Sequence, residues 1–358
     1  MRWRTRVAVT AVSAMVASTT FVGVGVGATA PADAFGGRAG TTVRAGGAHI
    51  DWDRLRNPIL GYPDRAAKDP AIVQADGRFV ALFSAVDAAG RWRIGIATSH
   101  DLARWSPLRF LPHDATVEGE ASPDIVRAPD GRFVVTFQSF VHDAAGAEAK
   151  LWYRTTRDFR SFSPAHRLGF ELHPARNDRL IDPALVWSPA GLLLGYKVGS
   201  ADGVQAFELA RSVSGTLAGP WTVVGRPDIR VLGDTIENYQ FLHVDGRHEL
   251  LATSNSFDRT YLFDLAGDAR DPRGWLHWTP GRQLVVPQEA WNPGSGLTGV
   301  TYEHANCAFV VDRRRISGWA YLVFADSPEL TTFGGAGHAR LAVARSRDLV
   351  HWDVPPER

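Results

Sequence analysis

The sequence predicts an all-β protein that forms a five-bladed β-propeller, with four antiparallel strands in each blade. Short apolar runs separated by Asp-Gly and Pro-containing turns recur along the chain, and no amphipathic helical pattern persists for three turns. These runs belong to five repeats with similar beginnings and similar ends. A four-stranded sheet cannot bury both of its faces alone, so we expect the repeats to stack around an axis and close into a ring.

The N-terminus has the pattern of an export signal. Three arginines precede a neutral run over residues 7–30, and Ala32 and Ala34 offer an Ala-x-Ala cleavage site. An uncleaved membrane anchor is the alternative, but its many Gly, Ser, Thr and Ala residues make the run weakly apolar for a permanent span. We therefore expect a signal peptide at residues 1–34, a flexible Gly-rich lead-in at residues 35–48 and one secreted domain at residues 49–358.

The composition argues against several classes of partner. Thirty-nine basic and 38 acidic residues give a net charge of +1, and the charges are interspersed, so no nucleic-acid-binding segment stands out. Cys307 is the single cysteine, which excludes an intramolecular disulfide and favours a buried thiol. There is no zinc-spaced His/Cys cluster, no Gly-x-Ser-x-Gly elbow and no phosphate-binding glycine loop. We expect a monomer with a small neutral partner, no nucleic acid and, after signal cleavage, no membrane contact.

Each repeat consists of an apolar strand, a hairpin signal and a second apolar strand, as in "DPAIVQADGRFVALFS". The repeats begin, at intervals of 55, 58, 55 and 69 residues, with Asp69, Asp124, Asp182, Glu237 and Asn306. They end in "SHDLARW", "TRDFRSF", "GPW", "GWLHW" and "SRDLVHW". Two packed sandwich domains are the alternative, but they would not explain a repeat with matched ends.

Four of the five opening residues are acidic, which we interpret as a ring of carboxylates around the axis. The first strand of a blade lies nearest the axis, and carboxylates held close together cannot all ionise freely. One should therefore keep its proton, which gives the acid beside a base that glycoside hydrolysis requires. Asp-Pro and Asp-Gly are also ordinary turn chemistry, and we assign Asp76, Asp130 and Asp245 to hairpins.

The order of these segments resembles the inverting five-bladed propeller enzymes of glycoside hydrolase families 43 and 62. The matching segments are "KDPAIV", "ASPDIV", "LIDPALVW", "IENYQFLHVDG" and "YEHANCAFVV", between about Asn57 and Trp352. The resemblance implies that Asp69 is the general base, that Asp182 tunes and orients the acid, and that Glu237 is the general acid. It also implies that Lys68 contacts the sugar, as the corresponding lysine of family 62 does.

The chain also departs from these families. Glu237 is followed by Asn-Tyr where family 43 usually has Gly-Pro, and Asp124 is preceded by Ala-Ser-Pro instead of Trp-Ala-Pro. Glu118 and Glu120 are alternative acids if the repeats are misaligned.

Further sugar contacts are expected from Asp124 in the ring and from aromatic side chains that can stack on sugar faces, namely Trp187 and Tyr239, with Trp92 and Trp291 as weaker candidates. His304 resembles the axial histidine that faces the sugar or a central calcium in these families, and a hydrogen-bonded core histidine is an equal alternative. The reaction requires no cofactor and no catalytic metal. A structural calcium ion on the axis is the one ion that the resemblance allows.

These features predict an exported glycosidase that removes terminal α-L-arabinofuranosyl or β-xylosyl residues from plant-type polysaccharide or oligosaccharide by inversion. Two alternatives remain on the same fold. One is a different reaction, either fructosidase-like or phosphorolytic, although Lys68 is the only cation that the sequence places near the ring for phosphate. The other is a non-catalytic carbohydrate-binding propeller.

Overall fold

The computed structural model describes residues 48–113, 117–143, 146–169, 171–173, 179–199, 205–227, 229, 231, 234–254, 259–287, 289, 291, 305–326 and 339–356, with only the backbone of 141–143 and 146–148. Within these ranges the chain forms nineteen strands in five antiparallel sheets. The predicted five-bladed propeller is confirmed. The predicted signal peptide, residues 35–47 of the lead-in and His304 lie outside the described residues. Across the described part of the chain, the search for a helix long and apolar enough to span a bilayer finds none.

Each blade is a meander in which strands pair in sequence order. The first blade contains β1 (Ala67–Ala75), β2 (Arg78–Val86), β3 (Trp92–Ser99) and β4 (Arg109–Phe110). The second contains β5 (Gly119–Arg127), β6 (Phe133–Asp143), β7 (Gly146–Thr156) and β8 (His166–Arg167). The third contains β9 (Arg179–Ser188), β10 (Gly191–Gly199), β11 (Gln205–Ser212) and β12 (Trp221–Gly225). The fourth contains β13 (Ile236–Val244), β14 (Arg247–Ser254), β15 (Thr260–Asp264) and β16 (Arg282–Gln283), and the fifth contains β17 (Asn306–Val310), β18 (Ala320–Asp326) and β19 (Arg340–Ser346).

The second strand of a blade is buried on both faces, which explains the continuous apolar runs in the sequence. Nearly every residue of β2, β10 and β18 is buried, because neighbouring blades cover both sides of each sheet. Apolar clusters fill the spaces between blades. Phe207 of the third blade, for example, packs against Tyr239 and Phe241 of the fourth.

The fifth blade has three strands in the described residues. Residues 57–60 cover its outer edge, which is β19. Leu60 and Leu341 exchange two backbone hydrogen bonds of 3.2 and 2.8 Å. The Asn57 side chain donates to the Val343 carbonyl at 2.9 Å and accepts the Val343 N–H at 2.8 Å. Residues near the start of the domain thus pair with its last strand and close the ring.

The C-terminal segment covers the same edge further along β19. Arg345 and Asp353 exchange two backbone hydrogen bonds of 2.8 Å. The Arg345 guanidinium lies over the rings of Trp52 and Trp319, at 4.4 and 4.3 Å from their centroids. Residues 57–60 and Asp353 therefore lie along β19 where a fourth strand would pair.

The guanidinium of Arg313 lies across the propeller axis. It donates to the carbonyl oxygens of Ile125 at 3.1 Å, Phe241 at 2.7 Å and Leu185 at 3.4 Å, and it pairs with the carboxylate of Asp124. These partners belong to the second, third and fourth blades, so one side chain from the fifth blade connects three others. Arg313 thus donates to three carbonyl oxygens that a calcium ion at this level would need as ligands, and the axial calcium stays a prediction.

Candidate active site

Every innermost strand has a β-bulge at the same place. Two residues oppose one residue of the second strand, and the first of the two has a positive φ of 48–53°. These first bulge residues are Asp69, Ser122, Asp182, Asn238 and Cys307. Asp and Asn tolerate left-handed backbone better than most residues, and bulges re-aim side chains beside active sites. The bulges therefore decide which side chains face the axis.

A cavity of about 640 Å³ opens where the innermost strands of the first four blades begin. Its lining includes the three carboxylates of Asp69, Asp182 and Glu237. The structure thus brings together the three residues to which the sequence assigned catalysis, and their individual roles remain predictions.

Asp69 is held by the neighbouring blade as well as its own. Its side chain is buried, and Oδ2 accepts a hydrogen bond of 2.6 Å from Ser84. The same Ser84 hydroxyl oxygen accepts the backbone N–H of Ser122 at 2.7 Å. The carboxylate is therefore fixed in orientation by a residue that also joins the first two blades.

Asp182 lies beside Glu237 at the junction of the third and fourth blades. Its N–H donates to Gln138 at 2.6 Å, and its Oδ2 accepts the Asn238 N–H at 3.4 Å. Burial and then the charge of Glu237 raise the pKa of Asp182 to about 6, although Lys197 acts in the opposite direction. Asp182 can therefore exchange a proton close to neutral pH.

Glu237 precedes its bulge by one residue and reaches the cavity from the edge of β13. Its Oε2 accepts a hydrogen bond of 2.8 Å from the Lys197 ammonium. The Glu237 side chain is 25% exposed, whereas that of Lys197 is 3% exposed. The acid thus faces the cavity while the cation lies behind it.

Lys68 lines the cavity between Asp69 and the aromatic ring of Trp92. Its Nζ is 4.0 Å from Asp69 Oδ1 and 5.7 Å from the Trp92 ring centroid. Burial by itself lowers the pKa of Lys68, but the charges of Asp69, Glu237 and Asp182 outweigh it and raise that pKa. Lys68 and Trp92 together present a cation and an aromatic face, a combination suited to sugar hydroxyls and ring surfaces.

The bulges correct the alignment of the predicted carboxylate ring. Asp124 follows the bulge residue Ser122 by two positions, and Glu237 precedes the bulge residue Asn238 by one. Asp124 consequently lies deeper along the axis, pairs with Arg313 and is not among the lining residues. Only Asp69 and Asp182 are truly equivalent acids.

Two predicted sugar-stacking residues lie away from the cavity. Tyr239, the second residue of its bulge, is buried with its ring 4.3 Å from that of Phe207, and its hydroxyl donates to the Ile236 carbonyl at 2.6 Å. Trp187 lies at the hairpin end of β9 and packs on the core. The weaker candidate Trp291 also packs on the core and donates to Glu289 at 3.1 Å.

The alternative acids fall at the margin of the site. Glu118 lines the cavity and is exposed, whereas Glu120 is buried and is not among the lining residues. The sequence reasoning missed Lys197, Arg91 and Arg179. A lysine inside the apolar run of β10 was a usable signal, but the two arginines of the cavity mouth have no pattern that distinguishes them from other surface arginines.

Comparison with known proteins shows the fold. Neither a protein-family model nor a curated protein sequence matches the chain. An α-L-arabinofuranosidase from Lactobacillus brevis is similar with a TM-score of 0.57 at 15% identity, covering 84% of this chain and 98% of that one. A structure from glycoside hydrolase family 130 of mannoside phosphorylases gives 0.55 at 14%, covering 83% and 96%. A family 32 β-fructofuranosidase from Bombyx mori gives 0.53 at 16%, covering 80% and 61%. The same architecture therefore supports several reactions.

Proposed function

We propose that the protein is a glycoside hydrolase that releases terminal α-L-arabinofuranosyl or β-xylosyl residues from plant-type polysaccharide or oligosaccharide. The main support is the convergence of Asp69, Asp182 and Glu237 on one cavity of about 640 Å³. Two carboxyl groups on either side of a scissile bond, one protonated and one ionised, are sufficient for this reaction. The resemblance to families 43 and 62 supports the choice of sugar.

The reaction is a single displacement. Asp69 takes a proton from a water molecule whose oxygen attacks the anomeric carbon, and Glu237 gives its proton to the leaving oxygen as the glycosidic bond breaks. The product sugar then has the inverted anomeric configuration. Asp182 touches neither reacting atom, and its charge beside Glu237 opposes loss of the proton before the bond breaks.

We also propose that the protein is exported as a monomer after removal of residues 1–34. The basic start, the neutral run and the Ala-x-Ala site support this location. N-terminal sequencing of the exported protein should begin close to residue 35.

Phosphorolysis is the second candidate because the cavity contains more cations than the sequence led us to expect. Lys68, Arg91 and Arg179 all line it, and Arg179 is exposed at the mouth. Guanidinium and ammonium groups bind phosphate oxygens well. In that reaction phosphate replaces water as the attacking group, and the product is a sugar phosphate.

The test is a panel of aryl arabinofuranosides, xylosides, fructosides and mannosides, with and without inorganic phosphate. We expect phosphate-independent release from a pentoside, with inversion visible by proton NMR. Asp69→Asn should reduce the rate by about 10²–10⁴-fold, as removal of a general base does. Asp76→Asn, the same change at an exposed hairpin of the same blade, is the control and should leave the rate unchanged. A sugar phosphate product would support phosphorolysis, and binding without turnover would support a non-catalytic propeller.

A further inference from the structure

At three of the five blade junctions, a polar side chain on the second strand of one blade accepts the bulge N–H of the next blade. In each case this acceptor is the cross-strand partner of the residue before the bulge in its own blade. The three pairs are Ser84 with Ser122 at 2.7 Å, Gln138 with Asp182 at 2.6 Å, and Thr253 with Cys307 at 3.1 Å. These bonds satisfy backbone groups that the bulge removes from the strand ladder.

Lys197 occupies this position in the third blade, opposite Ile181. An ammonium group has donors but no acceptor, so it cannot receive the N–H of Asn238. That N–H is directed to Asp182 Oδ2 at 3.4 Å, and the ammonium donates to Glu237 Oε2 at 2.8 Å. Two of the five junctions therefore lack this acceptor: the fifth blade has Ala325 at the position, and the third blade has a cation there, at the junction that holds the proposed acid.

A buried ammonium is a costly replacement for a hydroxyl or an amide. Desolvation of a charged group is unfavourable unless an opposite charge compensates it, and the Lys197 side chain is only 3% exposed. Ser, Gln or Thr would have satisfied the backbone at no such cost. The presence of a cation is explained by what it does to Glu237.

We propose that Lys197 is a positioning residue for the general acid. Its ammonium holds the Glu237 side chain at the cavity and stabilises the carboxylate that remains once the proton has passed to the leaving group. This role depends on Glu237 being the acid of the proposed reaction. Glu237 then has two neighbours with opposite effects on its proton: the charge of Asp182 resists loss of the proton, and the charge of Lys197 favours it.

The described titratable and charged groups around Glu237 come from five strands. They are Lys197 on β10, Asp182 on β9, Lys68 and Asp69 on β1, Tyr239 on β13 and Cys307 on β17. Burial, ahead of the neighbouring charges, raises the pKa of both Tyr239 and Cys307 well above the ordinary values, so these two groups remain neutral. Lys197 is the cation that donates directly to the Glu237 carboxylate.

The test replaces Lys197 by glutamine, because Gln138 stands at the equivalent position of the second blade. In Lys197→Gln the amide oxygen can accept the Asn238 N–H, so the junction keeps a backbone partner. We expect the alkaline limb of the kcat/KM profile to move to higher pH by about one unit, because the acid has lost a stabilising charge. Asp182→Asn should move the same limb to lower pH. Lys197→Arg keeps the charge and should stay close to the wild-type profile.

A second measurement does not require activity. In protein with ¹³C-labelled glutamate and aspartate side chains, the carboxyl resonances of Glu237 and Asp182 should titrate at higher pH in Lys197→Gln than in the wild type. Thr253→Val removes the acceptor at another junction and should lower stability without moving either titration. Unchanged titrations in a folded Lys197→Gln would overturn the proposal.

A wild-type protein that hydrolyses nothing on the panel would overturn the proposed function instead, and the titrations would still decide the role of Lys197. Lys197→Met provides the same comparison if the glutamine variant does not fold.

Discussion

Two levels of the propeller axis contain buried carboxylates, and they differ in how the charge is compensated. At the cavity, Asp69, Asp182 and Glu237 lie close enough to affect one another. At the deeper level, Asp124 lies two residues past its first bulge residue, about 7 Å further along the strand, and pairs with the Arg313 guanidinium. Asp124 and Asp69 are equally buried, at 2% and 1% exposure.

Burial alone does not make a carboxylate reactive. Burial raises the pKa of Asp124, but the charge and hydrogen bond of Arg313 act against that shift. Neither residue lines the cavity of about 640 Å³, and the contacts of Arg313 join the fifth blade to three others. At the cavity, Lys68 and Lys197 lie beside Asp69 and Glu237, and the carboxylates face a space that substrate can enter. A perturbed carboxyl indicates a reactive site only where it also faces open space.

The largest effect should come from removing the acid at the cavity level. Glu237→Ala should slow the hydrolysis of natural glycosides by about 10²–10⁴-fold, because their leaving groups need a proton. Aryl glycosides with activated leaving groups should lose much less. The measurement is kcat/KM for a series of leaving groups, with Asp69→Ala as the contrasting variant, since it removes water activation whatever group departs. Equal losses across the series in folded Glu237→Ala would make Glu118 the next acid to test.

A smaller effect, on stability, should come from the deeper level. Arg313→Met leaves Asp124 without its cation and should lower the free energy of unfolding by about 3–5 kcal/mol, as breaking a buried ion pair does. Urea denaturation measures it, and Arg132→Met is the control, because that arginine and its partner Asp130 are 43% and 45% exposed. Adding Asp124→Asn to Arg313→Met should restore part of the loss. Equal losses for the two arginine variants would mean that the axial contacts contribute no more than a surface pair.

The smallest effect should be a pH-dependent gain in stability from Asp182→Asn. The folded-state pKa of Asp182, about 6, exceeds the ordinary value of 3.8, so the wild type loses stability as the pH rises from about 4 through 6. The asparagine variant lacks this loss and should be more stable by up to ~3 kcal/mol at pH 8, with no difference near pH 3.5. Urea denaturation at both pH values checks the sign. An advantage at low pH, or a loss at pH 8, contradicts the assignment.

The sequence was sufficient for the fold because the repeats are visible as apolar runs between turn signals. It also proposed Asp69, Asp182 and Glu237 as a set, and the structure places all three at one cavity, while their catalytic roles stay predictions. It could not locate the bulges, because one extra residue in a strand changes which side chain faces the axis without altering the apolar pattern. Asp124 and Tyr239 were misplaced for that reason.

Lys197 was missed for a different reason. Its position within an apolar strand looks unfavourable until the acid of the next blade is placed beside it, and that contact joins residues 40 positions apart. Pairings across blades depend on the angle between sheets, which no local pattern in the sequence specifies. The same holds for Arg313, which contacts carbonyl oxygens and therefore leaves no side-chain signature in most of its partners.

The pairing of Asn57 with Val343 means that the ring can close only after β19 has been synthesised. The two residues are 286 positions apart, so Asn57, which is synthesised early, has no partner until β19 has been synthesised. Contacts of such long range must overcome the entropy of closing the intervening chain before they stabilise anything. A nascent chain that ends before β19 leaves the segment around Leu60 and the edge of β18 without their partner strand, and both can pair with another molecule. Pairing of β19 therefore closes the ring and covers the strand edges that could associate with other molecules.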